Sequence, residues 1–188
     1  MKVVIAPDSF KESMSAKEVC DCAERGILSL FPDWEIVKVP MADGGEGTVE
    51  SLIDGTNGKI YNEETLDPLG EKIISKYGVL GDKNIAIIEM ATTSGLELIP
   101  EAKRNPYRTT TYGTGQLILK ALDHNVEKII LGIGGSATTD GGAGMLQALG
   151  AKLTDKEGNE IGFGGFELGK LENIDFSGLD ERLKNVEI

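Results

Sequence analysis

The sequence predicts an α/β fold. Short apolar runs of strand length alternate with helical stripes, as in Lys2 to Ile5 followed by a stripe from Val19 to Leu30. The segments joining them are rich in glycine and carboxylates. The composition is that of a globular chain, with 40% apolar and 27% charged residues over 188 positions. The 25 glycines are about twice the number expected at ~7% usage, and they cluster in loops, where glycine permits tight turns and close backbone approach.

Lys2 to Ile5 reads as the first strand, and residues 6–14 as a loop. Ser15 and Glu18 have capping-box spacing ahead of the stripe Val19, Cys22, Ala23, Ile27 and Leu30, which Pro32 ends. Trp34 to Val39 is a second strand. After the loop Ala42 to Gly47, Thr48 to Ile53 is a short helix closed by Gly55. Lys59 to Leu66 and Lys72 to Leu80 form a hairpin around Asp67-Pro68-Leu69-Gly70, and Ile85 to Met90 is a third strand in this region. Thr114 to Leu122 is a helix ended by Asn125, Lys128 to Gly132 a strand, Gly142 to Leu149 a helix ended by Gly150, and Lys152 to Thr154 a short strand. Leu183 to Ile188 reads as the entry to another strand, so the chain is expected to be the opening part of a longer pattern.

The change of rhythm near Gly55 to Gly58 suggests two α/β domains with a cleft between them. Residues 1–56 would be the N-terminal part of a Rossmann-like domain. Residues 57–188 would be a mixed α/β second domain, incomplete at its end.

Net charge is −12 and the longest basic cluster is Lys103-Arg104, so the chain lacks the basic patch that nucleic-acid binding needs. No apolar run approaches the ~20 residues of a membrane span. Cys20 and Cys22 point to different faces of one helix, unsuited to bridging, and read as reduced thiols of a cytoplasmic protein.

Three loops follow strands, at the end where α/β sheets bind ligands. In the first, Asp8 could hold a metal or accept a proton, Asp8 and Ser9 could meet a substrate, and Lys11 could meet a phosphate or carboxylate. In the second, Asp43 stands among Gly44, Gly45 and Gly47, a strand-end position suited to magnesium or a general base. The third, residues 132–144, carries six glycines in thirteen positions with Ser136, Thr138, Thr139 and Asp140. Exposed amides ahead of a helix bind anions, so Gly134, Gly135, Ser136, Thr138 and Thr139 are candidates for nucleotide phosphate and Asp140 for a bridging cation. Arg104 and Arg108 stand beside a hydroxyl-rich turn and suit a carboxylate or phosphate. Glu89 ends a strand near the same loops. The single histidine, His124, lies at a helix end and reads as structural.

Two weaker patterns compete. Gly132-x-Gly134-x-x-Ala137, with Asp155 downstream, fits the dinucleotide fingerprint, although its helix starts late. Gly164-x-x-x-x-Gly169-Lys170 imitates a P-loop, but Leu171 stands where the magnesium hydroxyl belongs.

Taken together, the loops resemble the glycerate kinase family, the type 1 class typical of bacteria. The matching stretches are Ala6 to Ser13, Ala42 to Thr48, Glu89-Met-Ala with Ser94-Gly-Leu96, Thr111 to Gly115, and Gly132 to Gly142. The resemblance implies ATP, Mg²⁺ and D-glycerate as cofactors and substrate, a phosphoglycerate as product, and a site between two α/β domains. Family members run to about twice this length, so the chain matches the N-terminal half and is expected to have little activity by itself. Phosphoryl transfer needs positioning and charge neutralisation more than covalent chemistry. The expected roles are Asp43 and Asp140 as base or metal ligands, Lys11 as the neutralising cation, and Asp8, Ser9, Arg104 and Arg108 as substrate contacts. A nicotinamide-dependent oxidoreductase and a non-catalytic phosphate-binding module are the rival readings. A homodimer is left open.

Overall fold

The computed structural model describes residues 1–10, 13–45, 47–81 and 84–188. Lys11, named above as the neutralising cation, lies outside the described residues.

The first unit is a β-α-β arrangement. Strand β1 (Lys2–Ile5) pairs in parallel with β2 (Glu35–Lys38), and helix α1 (Ala16–Leu30) connects them. The predicted capping box is present: Ser15 Oγ accepts the Glu18 amide, and a Glu18 carboxylate oxygen accepts the Ser15 amide. Two orphan donors of the first turn are satisfied this way. Cys20 is buried and Cys22 exposed, both as free thiols.

Helix α2 (Thr48–Thr56) follows, and its closing cap is Asn57, in the left-handed conformation at φ 52°. The expected stop at Gly55 is therefore two residues early. Asn tolerates the left-handed cap, and its amide bonds back to Ile53.

The central sheet has the order β3-β4-β5-β6: β3 (Lys59–Leu66), β4 (Lys72–Val79), β5 (Ile85–Glu89) and β6 (Lys128–Gly132). The first two form the predicted antiparallel hairpin. Its turn is fastened by Asp67, whose carboxylate accepts the amides of Leu69 and Glu71. Strands β5 and β6 are parallel, in register Ile85 to Lys128 through Glu89 to Gly132. Glu89 and Gly132 thus finish their strands side by side, and the loops after both strands emerge at one end of the sheet.

The main core lies between this sheet and helix α4 (Tyr112–Leu122), with Tyr77, Ile88, Leu117, Ile118 and Ile129 at 2% exposure or less. Val49 and Ile53 of α2 pack with Ile87 on another cluster. Packing therefore groups α2 with the central sheet, whereas the change of sequence rhythm falls after it, at 56/57. Short α3 (Ala91–Ser94) follows β5, and α5 (Ala143–Ala148) packs near α4. Strands β7 (Lys152–Thr154) and β8 (Asn173–Asp175) form a small antiparallel pair. At the end of the chain, Glu187 makes a parallel bridge to Lys128 on β6, in keeping with the strand entry expected there. No helix among the described residues is long and apolar enough to cross a membrane.

Candidate active site

The loops after β1, β2, β5 and β6 converge on a cavity of about 570 Å³, a size suited to a small organic ligand. Its lining includes Asp8, Ser9, Asp43, Arg104, Gly134, Gly135 and Ser136. Seven of the residues singled out from sequence thus meet in one place. A second cavity of about 460 Å³ lies beside it, lined by Ser9, Ser13, Ser15 and Ser51 together with Phe10 and Glu50. Ser9, Lys76 and Glu97 line both.

Local bonding explains how each loop holds its shape. The carboxylate of Asp43 accepts the Gly45 amide at 3.0 Å, which folds the side chain over its own loop. Gly134 donates its amide to Gly44 O at 3.2 Å, tying the second loop to the third. Ser136 Oγ accepts the Thr138 amide and bonds Thr138 Oγ1, a local hydroxyl turn. Arg104 donates Nε–H to Ile99 O at 3.3 Å and lines the cavity.

Four sequence candidates do not line this cavity. Arg108 is exposed, near the turn at Gly164. Thr139 donates to Pro106 O, and Thr138 is engaged in the Ser136 turn. Asp140 is only 2% exposed. Its Oδ2 accepts the amide and hydroxyl of Thr111 and the Gly144 amide, and its Oδ1 accepts the Gly142 amide. This carboxylate fastens the third loop to the start of α4, rather than facing the cavity.

Many of the glycines have a packing reason. A Cβ on Gly132 would meet Gly44 O at 2.4 Å, and one on Gly144 would meet Thr110 Oγ1 at 2.1 Å. Gly135, Gly141 and Gly142 have positive φ. Glycine density alone therefore overstates ligand contact: of the six glycines in the third loop, Gly134 and Gly135 line the cavity.

Two more residues line this cavity: Glu89, expected near these loops from its strand-end position, and Lys76, which was not among the sequence candidates. Glu89 is buried at 1% exposure, with Oε1 accepting the Val49 amide at 2.6 Å and Oε2 without a hydrogen-bond partner among the described residues. Burial raises its pKa above the ordinary value. Lys76, from β4, pairs with Glu50 of α2. Its signal in sequence is faint, a single lysine in a strand.

The competing patterns lose their geometry. Helix α5 begins at Ala143, well past Ala137, and Asp155 is folded onto the amides of Glu157 and Asn159. Those bonds hold its carboxyl below the usual range. Lys170 is paired with Glu167 in a single 3₁₀ turn, Glu167–Lys170. His124 bonds the Tyr77 hydroxyl at 2.9 Å and leans on Tyr61, a structural role.

A family model for the glycerate kinase family matches residues 3–188. This chain belongs to the glycerate kinase family. Over 188 residues it is 57% identical to a glycerate kinase of Bacillus subtilis (strain 168), covering all of this chain and 49% of that one. It is 59% identical over 185 residues to the glycerate 2-kinase of Escherichia coli (strain K12), covering 98% of this chain and 49% of that one. A crystal structure from Salmonella typhimurium LT2, described as a candidate glycerate kinase 2, superposes with a TM-score of 0.84 at 55% identity, over 99% of this chain and 50% of that one. The chain spans about half the length of these relatives.

Proposed function

We propose that the intact protein carrying this chain transfers the γ-phosphoryl group of ATP to D-glycerate. The observation that carries this reading is the cavity at the converging loops, where Asp43, Arg104 and the Gly134–Ser136 backbone line one space. The family membership supports the same reaction.

In this reading Gly134, Gly135 and Ser136 bind nucleotide phosphate through backbone amides and the serine hydroxyl. Arg104 holds the glycerate carboxylate, assisted by Ser9. Asp43 accepts the proton of the attacking hydroxyl, or holds the metal. The hydroxyl oxygen forms a bond to the γ-phosphorus, the bond from that phosphorus to the β,γ-bridging oxygen breaks, and ADP leaves with the electron pair. The 2-hydroxyl is the acceptor, a choice supported by the 59%-identical relative named glycerate 2-kinase.

Mg²⁺ fits the donor set. Among the described residues no group of three or more His, Cys, Asp or Glu side chains gathers as a metal cage. Mg²⁺ typically needs no such cage, because it keeps waters and is held through one or two carboxylates plus substrate phosphates. Asp43 and Asp8, both lining the cavity, are the carboxylates placed to share it, and bound Mg²⁺ would neutralise phosphate charge. Asp140 acts from behind, by holding the phosphate loop in place. The free thiols of Cys20 and Cys22 agree with a cytoplasmic enzyme.

The test is to incubate the intact protein with ATP, Mg²⁺ and a panel of hydroxy acids and to read products by ³¹P NMR. 2-Phosphoglycerate from D-glycerate is expected. A 3-phosphoglycerate product would correct the position, and no glycerate turnover would overturn the reading.

A further inference from the structure

Lys76 stands where the two cavities join. Among the described residues lining both, Ser9, Lys76 and Glu97 are shared, and Lys76 is the cation of the three. It projects from the middle of β4, a hydrogen-bonded strand of the central sheet, rather than from a loop. Its ammonium pairs with Glu50 on the first turn of α2, and its side chain is 37% exposed, so part of it still faces the open space. An ammonium has three donors, and one ion pair leaves others to turn toward a ligand.

Glu50 Oε2 and Glu89 Oε2 are buried without hydrogen-bond partners among the described residues. Buried carboxylate oxygens are costly unless paired or protonated. Lys76 interacts electrostatically with Glu89 as well as pairing with Glu50. Burial raises the Glu89 pKa and so disfavours its charged form, which weakens its competition with an outside anion for the attraction of the Lys76 ammonium. Neighbouring carboxylates make that attraction necessary: Asp8, Asp43 and Glu97 also line the larger cavity, with Arg104 and Lys76 as its described cations.

We propose that Lys76 is a further catalytic residue of this site, whose ammonium at the junction of the two cavities carries the negative charge of the phosphoryl group as it passes between donor and acceptor. The proposal rests on the phosphotransfer reading above. Lys76 makes and breaks no covalent bond and neither gains nor loses a proton; it stabilises oxygens whose charge grows as the γ-phosphorus moves from the bridging oxygen of ATP to the acceptor hydroxyl. Glu50 is a positioning residue that aims it.

The experiment compares Lys76→Met, Lys76→Arg and Glu50→Gln in the intact protein, with thermal melting as the control for folding. Loss of a preorganised charge-stabilising donor typically costs ~10²–10³ in rate, so Lys76→Met should lower kcat by that factor with a much smaller change in glycerate KM. Lys76→Arg should recover part of the rate, and Glu50→Gln should cost less than Lys76→Met. Lys76→Met with kcat within about threefold of wild type, far short of that factor, overturns the proposal. So does a Lys76→Met loss matched by Glu50→Gln and by an equal fall in melting temperature for both, the result of a purely structural ion pair. A wild-type protein that fails to phosphorylate glycerate instead overturns the glycerate reading alone. Calorimetric titration with magnesium pyrophosphate then decides Lys76: at least about tenfold weaker binding to Lys76→Met, which is 1.4 kcal/mol, supports it, and unchanged binding sinks it.

Discussion

Gly44 and Gly134 join the second and third loops backbone to backbone: the Gly134 amide donates to Gly44 O at 3.2 Å. The same oxygen would sit 2.4 Å from a Cβ placed on Gly132. No side chain separates the two loops there, so the Asp43 carboxylate and the Gly134–Ser136 amides are held across one short contact. A methyl group at 132 has backbone on the other side and nothing flexible to displace. Gly132→Ala should therefore cost about 1–3 kcal/mol, the range for overpacking, and should also lower kcat by moving the loops apart. Equilibrium denaturation and steady-state kinetics on the same preparation check both effects.

Gly26 provides the contrast. It lies exposed inside α1, and a Cβ there would meet nothing within 4 Å. Gly26→Ala should stabilise the protein by about 0.5–1 kcal/mol through helix propensity, with kcat unchanged. Melting temperature and kinetics read the two arms, and destabilisation would contradict this placement of the helix.

Asp140 should behave as a structural residue. Its carboxylate takes four donors in a buried site: the Thr111 amide and hydroxyl, and the Gly142 and Gly144 amides. Asp140→Ala orphans them, and a buried unsatisfied group costs ~1–3 kcal/mol. Asp140→Asn helps little, because its NH₂ must face a donor amide on one side or the other. Both variants should lose about 5 °C or more in melting temperature, at ~2–4 °C per kcal/mol for a chain of this size. Added Mg²⁺ should not rescue their rate. Rescue by Mg²⁺ with an unchanged melting temperature would return Asp140 to the metal site.

What could be read from sequence was whatever depends on near neighbours. The Ser15–Glu18 capping box spans three residues, and the Asp67 turn spans four; both were legible, as were the strand-end loops. Helix α4 begins at Tyr112, two residues before the expected Thr114, and it contains Gly113 and Gly115, residues of low helix propensity. Their reason is tertiary: a Cβ at Gly113 would strike Leu66 O at 2.0 Å, and one at Gly115 would strike Met145 O at 2.5 Å. The same distance limit hid the site's finer roles. Asp140 reads from sequence as a metal ligand, and the Thr111 amide and hydroxyl that its Oδ2 accepts in the fold lie 29 residues away. Lys76 was an ordinary strand lysine until Glu50, 26 residues away, stood beside it.

Glu89 gives the site a pH dependence. Burial raises its folded pKa above the ordinary 4.5, with Glu50 adding to the rise and the Val49 amide and Lys76 opposing it. The folded state thus keeps a proton over a range where the unfolded chain has released it. The stability it contributes is complete below pH 4.5 and is lost as pH rises through the folded value. Glu89→Gln keeps an oxygen for the Val49 amide and cannot ionise. Relative to wild type it should gain stability between pH 5 and pH 8, by more than the ~0.5 kcal/mol typical of a neutral surface change. Urea denaturation at both pH values is the measurement, and a constant difference would mean that Glu89 is ionised throughout.

Asp43 carries the last prediction. It lines the larger cavity, and its Oδ1 accepts the Gly45 amide at 3.0 Å. Asn offers an oxygen for that same amide, so Asp43→Asn should keep its loop and melt near wild type. It cannot accept a proton from the glycerate hydroxyl at neutral pH, and it is a poor ligand for Mg²⁺. Loss of a general base typically costs ~10²–10⁴ in rate, and loss of the metal ligand should cost a comparable factor. The two roles separate on titration. If Asp43 is the base, kcat falls at every Mg²⁺ concentration while ATP binds as before. If it is a metal ligand, raising Mg²⁺ restores part of the rate and ATP binding weakens at low Mg²⁺. A kcat within about threefold of wild type, well below the expected factor, would remove Asp43 from the mechanism. Asp8, the other aspartate lining this cavity, would then be the carboxylate to test.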